Sequence, residues 1–538
     1  MSVGRTIARN TVFNGIGRVI EGFGGLALTW YAVRELGAEG WGLWSMVAVF
    51  TGYAALLDFG IGSGFTKYVA EHTARGEDAQ ISQLVSTGLI FYALLGTALV
   101  AVLWPLVDAC IDGILYLQGA QDEAASAPME DLRFLFRGGL VLFALNNCIA
   151  PFACVPMGLQ RMGISNALGV SASAIKIAVA AALIYTGWGV RGLLLGQVAS
   201  VLFFGAASVV AAFWLVPGLR VGPAQWSRPM FRQLYSFGWR TQVAKLANLV
   251  NFQTDRVVIA VVFRFADFTM VGLYGLGEYM AAKMRQVPGL LTSALIPAAS
   301  ALDAQDRPDH LRRLYLVSTK YIGVVSVPLA LYFMVCADLV MLGWLGPRED
   351  MAAAAWVLRI LCLGYLANLL PGPGVSIVLG KGLARVPMWA GIISTTVNVV
   401  CTIALYFAVG FYGIPAATSL GMLVSTAWFF LAVRRELGVG LRELLVVSVL
   451  WPAVASVPGV AGGLALNAWL AREPDQLWCL LGAGAGLAWF GLSYLVLLRL
   501  LPFLDSFDRH FLIHTLRLGR IPGFAFLLGE WGYDHHAR

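Results

Sequence analysis

The stretch RELGAEGWGLW (residues 34–44) separates two long apolar segments, and LLDFGIGSGFTKYVAEHTARGE (residues 56–77) ends the second of them. Each apolar segment is about 20 residues long, which is the length of a helix that crosses a bilayer. We therefore interpret residues 34–44 as a short loop between two membrane spans. Lys67 and Arg75 within residues 56–77 are expected on the cytoplasmic side, after the second span has crossed the membrane.

The composition is that of an integral membrane protein. The chain of 538 residues is 59% hydrophobic and 12% charged, with a mean hydropathy of +0.75, whereas soluble domains carry roughly 25% charged residues. We assign the net charge of +7 to cytoplasmic loops rather than to nucleic-acid binding, because Lys and Arg accumulate on that side of membrane proteins. The seven cysteines are scattered and contain no CxxC motif, so neither a disulfide framework nor a metal site is indicated.

These features predict an all-α polytopic membrane protein with 14 transmembrane helices. The spans are predicted at residues 12–33, 41–62, 84–107, 138–159, 166–186, 192–216, 241–263, 271–298, 318–342, 352–379, 387–409, 413–433, 443–470 and 478–501. Their length is typical of helices and not of the shorter strands of a membrane barrel.

Basic residues predict the orientation of these spans. If the N-terminus is cytoplasmic, the cytoplasmic ends collect 23 of the 37 Lys and Arg residues and the outer ends collect 8. Both termini are therefore expected in the cytoplasm. The acidic interval at residues 108–137 is then an outer loop, and the tail at residues 502–538 lies on the cytoplasmic membrane surface.

A short internal repeat has an offset of 230 residues. It maps Arg34 onto Arg264, and Gly-Leu-Trp at residues 42–44 onto Gly-Leu-Tyr at residues 272–274. Each half then has six spans, an even number, so the halves share an orientation and are related by an axis along the membrane normal. The predicted domains are an N-terminal lobe at residues 1–220, a C-terminal lobe at 221–440, two added spans at 441–501 and the tail at 502–538.

Polar side chains within the spans form the candidate site, because a charge in a bilayer is costly unless it faces protein or water. Two segments each carry four of them on one helix face, at spacings of three or four residues. These are Asn10, Asn14, Arg18 and Glu21 in span one, and Lys245, Asn248, Asn251 and Asp255 in span seven. The repeat places the two stripes at equivalent positions, which predicts a shared central cavity.

The charges predict what this cavity binds. Six basic and four acidic residues lie within the spans, and a cationic cavity suits a phosphate-bearing substrate because arginine presents a planar fork of donors. The candidates for substrate binding are Arg18, Lys176, Lys245, Asn248, Arg256 and Arg285. The candidates for coupling to a proton or sodium gradient are Glu21, Asp58, Asp255 and Glu278. The alternative is that such charges only pair with each other and fix neighbouring helices.

Signatures of an enzyme are missing from the sequence, which contains no P-loop, GxSxG or HExxH motif. We therefore expect a transporter without an organic cofactor or a metal.

Three motifs resemble those of the polysaccharide transporter family of the multidrug/oligosaccharidyl-lipid/polysaccharide (MOP) superfamily. The first is R-x-L-G-x-x-x-[FY]-G-L at residues 34–43, with Trp41 at the aromatic position. The second is D-x-G at residues 58–60, and the third is Asp255 followed by G-x-Y at residues 272–274. Together with the 14 predicted spans and the cytoplasmic termini, the resemblance extends over nearly the whole chain.

This resemblance implies two six-helix lobes in a V shape, alternating access, and flipping of undecaprenyl-diphosphate-linked oligosaccharide to the outer leaflet of a bacterial inner membrane. The implied product is O-antigen or exopolysaccharide, and the implied partners are membrane lipids, a polysaccharide polymerase and other assembly proteins. Three alternatives are a lipid II flippase, a drug/cation antiporter and a membrane-embedded polymerase or ligase. The lipid II flippases fit less well because their arginine-rich entry to span two is not found. The drug antiporters usually have 12 spans, and a polymerase or ligase commonly has a large outer loop.

Overall fold

The computed structural model describes residues 3–54, 61–118, 123–263, 268–292, 295–348, 350–383, 385–470 and 475–501. Over these residues the chain is helical and contains no strand, which confirms the predicted all-α class. Internal contacts divide it into two compact units, Met1–Gly275 and Leu276–Arg538. The predicted lobes at residues 1–220 and 221–440 stay a prediction.

The first unit contains seven helices and the beginning of an eighth. They are α1 (Val3–Ala54), α2 (Gly62–Arg75), α3 (Asp78–Gln118), α4 (Glu123–Gly158), α5 (Met162–Tyr185), α6 (Gly189–Leu215), α7 (Arg228–Val262) and α8 (Thr269–Thr292).

The second unit contains the remainder of α8 and ten further helices, with a π-helical turn at Val446–Leu450. The helices are α9 (Leu295–Ala304), α10 (Pro308–Val335), α11 (Ala337–Leu345), α12 (Met351–Leu369), α13 (Gly372–Gly380), α14 (Arg385–Val409), α15 (Gly413–Leu437), α16 (Leu441–Leu445), α17 (Trp451–Leu470) and α18 (Gln476–Leu500).

Nine helical segments of the described chain are long and apolar enough to cross a membrane. The chain is therefore a multi-pass membrane protein. One of the nine, Arg385–Arg434, contains both α14 and α15, where the sequence predicts two separate spans. The count of 14 spans stays a prediction.

The predicted break between the first two spans is found, but it is much shorter than the loop expected at residues 34–44. Helical structure continues from Val3 to Ala54, and the break is confined to Gly37, whose backbone angles are φ 72° and ψ −177°. A side chain at this φ would be strained, so glycine is the residue that allows the two halves of α1 to meet at a kink. Polar residues and glycines made this stretch look like a longer loop, although all of it except Gly37 belongs to the two helices that meet there.

The predicted outer loop at residues 108–137 is also mostly helical, because α3 continues to Gln118 and α4 begins at Glu123. Its charges are paired across helices. Arg137 donates to Asp108 over 2.5 Å, Arg191 of α6 donates to Asp131 over 2.6 Å, and Arg133 pairs with Asp112. Such pairing gives the polar side chains of α3 and α4 partners and allows both helices to extend.

The repeat-related glycines Gly42 and Gly272 pack directly against each other within the first unit. A Cβ added to Gly42 would lie 2.0 Å from the carbonyl oxygen of Phe268, and one added to Gly272 would lie 1.9 Å from that of Ala38. Residues 38 and 268 are themselves 230 apart, so each contact mirrors the other. The two helices thus cross with their backbones in contact, and the repeat offset relates one side of the crossing to the other.

The connection between α6 and α7 is held on the side of α3 by buried hydroxyl groups. The Ser82 hydroxyl accepts from the backbone N–H of Arg220 over 3.1 Å, and the Thr87 hydroxyl accepts from that of Ser227 over 3.1 Å. Ser86 bonds the same segment, donating to the Arg220 carbonyl over 3.3 Å. These bonds fix residues 220–227 to the first unit.

The last two helices belong to the packing of the second unit. On α18, the Tyr494 hydroxyl donates to the Val324 carbonyl of α10 over 2.8 Å. On α17, Asn467 donates over 2.9 Å to Asp338 of α11, which also pairs with Arg359 of α12 at 2.5 Å. Hydrogen bonds from two helices therefore anchor α17 and α18 to their neighbours.

Candidate functional site

In the second unit, two of the predicted site residues meet at one tyrosine. The Tyr365 hydroxyl of α12 donates to a Glu278 carboxylate oxygen of α8 over 3.1 Å. The guanidinium carbon of Arg285, also on α8, lies 4.8 Å from the centre of the same ring. A cation over an aromatic face is held by the ring quadrupole. The structure thus assembles an acid, an aromatic ring and a guanidinium, here called the Tyr365 cluster (Glu278, Arg285 and Tyr365).

The other charged residue of this part of α8 has a different partner. The Lys283 ammonium lies 4.6 Å from the ring centre of Tyr279. That ring in turn stacks on Trp344, with centroids 5.8 Å apart. Lys283 is therefore directed to a separate aromatic pair, although it lies only two residues from Arg285.

In the first unit, the predicted acid of span seven is almost fully buried. Asp255 of α7 is 1% exposed, and its carboxylate accepts a hydrogen bond from the Tyr274 hydroxyl of α8 over 2.5 Å. The adjacent Arg256 is 8% exposed and donates to the Gln253 side chain over 3.1 Å. Burial at this depth is costly for both charges unless they have hydrogen-bond partners. Tyr274 and Gln253 supply such partners to this short segment of α7.

The remaining candidates differ in their surroundings. Glu21 is exposed on α1, and its carboxylate would lie 3.1 Å from a Cβ added to Gly169 of α5. Lys176, two helical turns further along α5, is half-buried. The side chains of Arg18, Lys245 and Asn248 lie outside the described residues, as does Asp58. The alternative that Arg18 and Glu21 only pair with each other therefore stays open to test.

Three residues of these surroundings were not predicted from the sequence. Tyr274 was noted only as the aromatic residue of the repeat and of the G-x-Y motif, and Tyr365 was not singled out, because their acidic partners lie 19 and 87 residues away in the chain. Lys320, at the beginning of the span predicted at residues 318–342, was counted among the cytoplasmic basic residues and not among the buried charges, and it is 7% exposed within α10. A lysine inside a span is a signal that the sequence did contain.

No cluster of three or more His, Cys, Asp and Glu side chains suited to a metal occurs among the residues that the structure describes. The arrangement is instead one of hydrogen-bonded acids and cations along membrane helices. Chemically, it can bind an anion at an arginine and change its hydrogen bonds when a carboxylate gains or loses a proton.

Comparison with known proteins gives a family model and two informative relatives. A model described as "Polysaccharide biosynthesis protein" matches residues 164–349. A putative O-antigen transporter of Shigella flexneri is 22% identical, over 77% of this chain and 93% of its own length. The probable flippase AglR of Haloferax volcanii is 24% identical, over 80% of this chain and 83% of its own length.

Solved structures show the same fold. A lipid II flippase, MurJ, in an inward closed conformation has a TM-score of 0.63 at 14% identity, with 91% of this chain and 98% of that chain covered. An inward-facing multidrug resistance MATE transporter of the MOP superfamily has a TM-score of 0.60 at 16% identity, with 80% and 98% covered. These structures show the fold of the chain, while the family model and the two relatives confirm the resemblance to polysaccharide transporters.

Proposed function

We propose that this chain, a polysaccharide-transporter-like protein with the MOP fold, flips undecaprenyl-diphosphate-linked oligosaccharide from the cytoplasmic to the outer leaflet by alternating access. The observation that carries the proposal is the match over about four-fifths of the chain to a protein named as an O-antigen transporter and another named as a flippase. The likeness in fold to MurJ and to MATE transporters supports a transport mechanism.

The Tyr365 cluster would couple substrate binding at Arg285 to the binding of an ion at Glu278. Arg285 supplies a fork of donors for a diphosphate, and its guanidinium rests on the ring whose hydroxyl bonds Glu278. Protonation of Glu278 would weaken that hydrogen bond, because a neutral carboxyl group is a poorer acceptor than a carboxylate. The ring would then be released, and the position of Arg285 would change with it.

The other predicted residues keep their proposed roles. Arg18, Lys176, Lys245, Asn248 and Arg256 would bind the diphosphate with Arg285, and Glu21, Asp58 and Asp255 would couple ions with Glu278. For Asp255, the hydrogen bond from Tyr274 supports this role, because protonation of the carboxylate would weaken that bond. The sugars of the oligosaccharide would be passed to a polymerase and other assembly proteins.

Loss of the protein is expected to trap the lipid-linked oligosaccharide on the cytoplasmic face of the inner membrane. The measurement is the fraction of this lipid in spheroplasts that an externally added glycosidase digests, with the complemented strain as the control. Normal digestion in the mutant, together with raised sensitivity to cationic drugs, would contradict the proposal and favour a drug antiporter. Normal flipping with loss of polymer alone would instead favour a polymerase or ligase.

We further propose a bacterial inner-membrane location with 14 spans, lobes at residues 1–220 and 221–440, added spans at 441–501, and both termini in the cytoplasm. The excess of Lys and Arg on one side supports this topology. Alkaline phosphatase fused after residue 501 is expected to be inactive, and the same enzyme inserted at residue 120 is expected to be active. The reverse pattern of activities would exclude the orientation.

A further inference from the structure

A cavity of about 470 Å³ lies in the first unit between α1, α3, α4 and α7. None of the described residues that line it is charged. Representative lining residues are Met46, Phe50, Tyr53, Leu106, Phe136 and Val257. Phe50 and Phe136 stack with their ring centres 4.7 Å apart, and the Tyr53 hydroxyl is already bonded to that of Thr254 at 3.0 Å. The cavity therefore suits an apolar ligand.

One wall of the cavity borders the buried polar segment of α7. Val257 lines the cavity and directly follows Arg256, while Thr254, bonded to the lining residue Tyr53, directly precedes Asp255. Arg256 is held by Gln253, one turn before Val257 on the same helix. The apolar cavity and the buried Arg256 thus share one short segment of α7 within the first unit. A ligand with an anionic head and a long apolar chain has complementary chemistry.

We propose that this cavity binds a segment of the isoprenoid chain of the transported lipid, with its diphosphate directed toward Arg256. The inference rests on the proposed function, which supplies a polyprenyl diphosphate as substrate. A cavity of this volume takes a ligand of drug size, so it holds part of a long chain and not the whole of it. Chain binding here would keep the lipid attached to the first unit while its head group is bound.

Photo-crosslinking of the full-length protein in phosphatidylcholine nanodiscs tests the proposal. The probe is a benzophenone-tagged geranylgeranyl diphosphate, and mass spectrometry locates the adducts. We expect adducts within residues 46–53 and 103–114, and excess untagged geranylgeranyl diphosphate should lower their yield about tenfold. Adducts confined to other segments, or unaffected by the competitor, would overturn the proposal.

A matched pair of substitutions separates cavity binding from contact with the lipid-facing surface. Leu103→Trp places an indole in the cavity from α3. It is expected to lower the adduct yield about tenfold, because the indole occupies the space that the ligand needs. Leu94→Trp changes a residue of the same helix that is 67% exposed and should leave the yield unchanged. Equal yields from both variants would contradict the site, and competition in the wild-type protein still tests it should Leu103→Trp fail to fold.

Two further competitors identify the ligand. Inorganic diphosphate that displaced the probe completely would show recognition of the head group alone, and phosphatidylglycerol that competed equally well would show a general site for acyl chains. Either result would overturn the assignment to an isoprenoid chain.

The proposed function is measured separately, as translocation of the lipid-linked oligosaccharide. Cavity adducts without translocation would overturn only the function, whereas translocation without cavity adducts would overturn only this site.

Discussion

Replacing either Gly42 or Gly272 with alanine is expected to lower the free energy of unfolding by about 3 kcal/mol, because overpacking at a close backbone contact cannot relax through side-chain movement. At each position the added Cβ would meet a carbonyl oxygen at 2.0 Å or less. The helices would have to separate along their whole crossing. The two variants should be equally affected, since the contacts mirror each other. The measurements are the thermal unfolding temperature in detergent and the amount of protein in the membrane.

The matched control is Gly22→Ala on α1. A Cβ at Gly22 meets nothing within 4 Å, and alanine is favoured over glycine in a helix by about 1 kcal/mol. Its unfolding temperature should stay the same or rise. If Gly42→Ala and Gly272→Ala unfolded at the same temperature as Gly22→Ala, the close crossing of α1 and α8 would be disproved.

Arg285→Ala is expected to reduce flipping of the lipid-linked oligosaccharide about a hundredfold while the protein remains in the membrane. Loss of a charge-assisted, bidentate contact to a diphosphate costs about 3 kcal/mol, which corresponds to about a factor of a hundred. Arg285→Lys should recover only part of the activity, because an ammonium keeps the charge but lacks the planar fork. The measurement is the flipping rate in proteoliposomes that contain the purified protein.

Lys283→Ala provides the control for Arg285→Ala. Lys283 is also half-buried on α8 and also lies over a tyrosine ring, at 4.6 Å. Its removal deletes the same charge and the same type of contact, but outside the Tyr365 cluster. Flipping should therefore change little. Equal losses in both variants would mean that the net charge of α8 matters and that the cluster has no special role.

Hydropathy was sufficient to predict the all-α membrane fold, because the cost of burying polar backbone in a bilayer leaves few architectures for apolar segments of this length. It was not sufficient to predict how helices end. Gly37 produces a kink where a loop was expected, and the ion pairs of Asp108 and Asp131 extend helices through a polar interval. The kink depends on the backbone freedom of one glycine, and the ion pairs depend on residues that are distant in the sequence.

The candidate site was only partly accessible to sequence reasoning. Glu278 and Arg285 lie seven residues apart, a spacing that places both on one face of a helix, but Tyr365, which contacts both, lies on another helix. No local pattern distinguishes such a tyrosine from an aromatic residue of the lipid-facing surface. Lys320 shows the opposite case, since its charge within α10 was visible and its position near a span end concealed its burial.

The mirrored contact of Gly42 and Gly272 has the form of an interface between two identical subunits, in which residue i touches j and j touches i. Here both sides belong to a single polypeptide. In a true homodimer, one mutation would alter both sides of the interface at once. In this chain each side can change alone. Arg18 and Asn248, which the offset of 230 residues relates, are already different residues. Joining the two halves in one polypeptide thus lets their sequences diverge while the close helix crossing is kept.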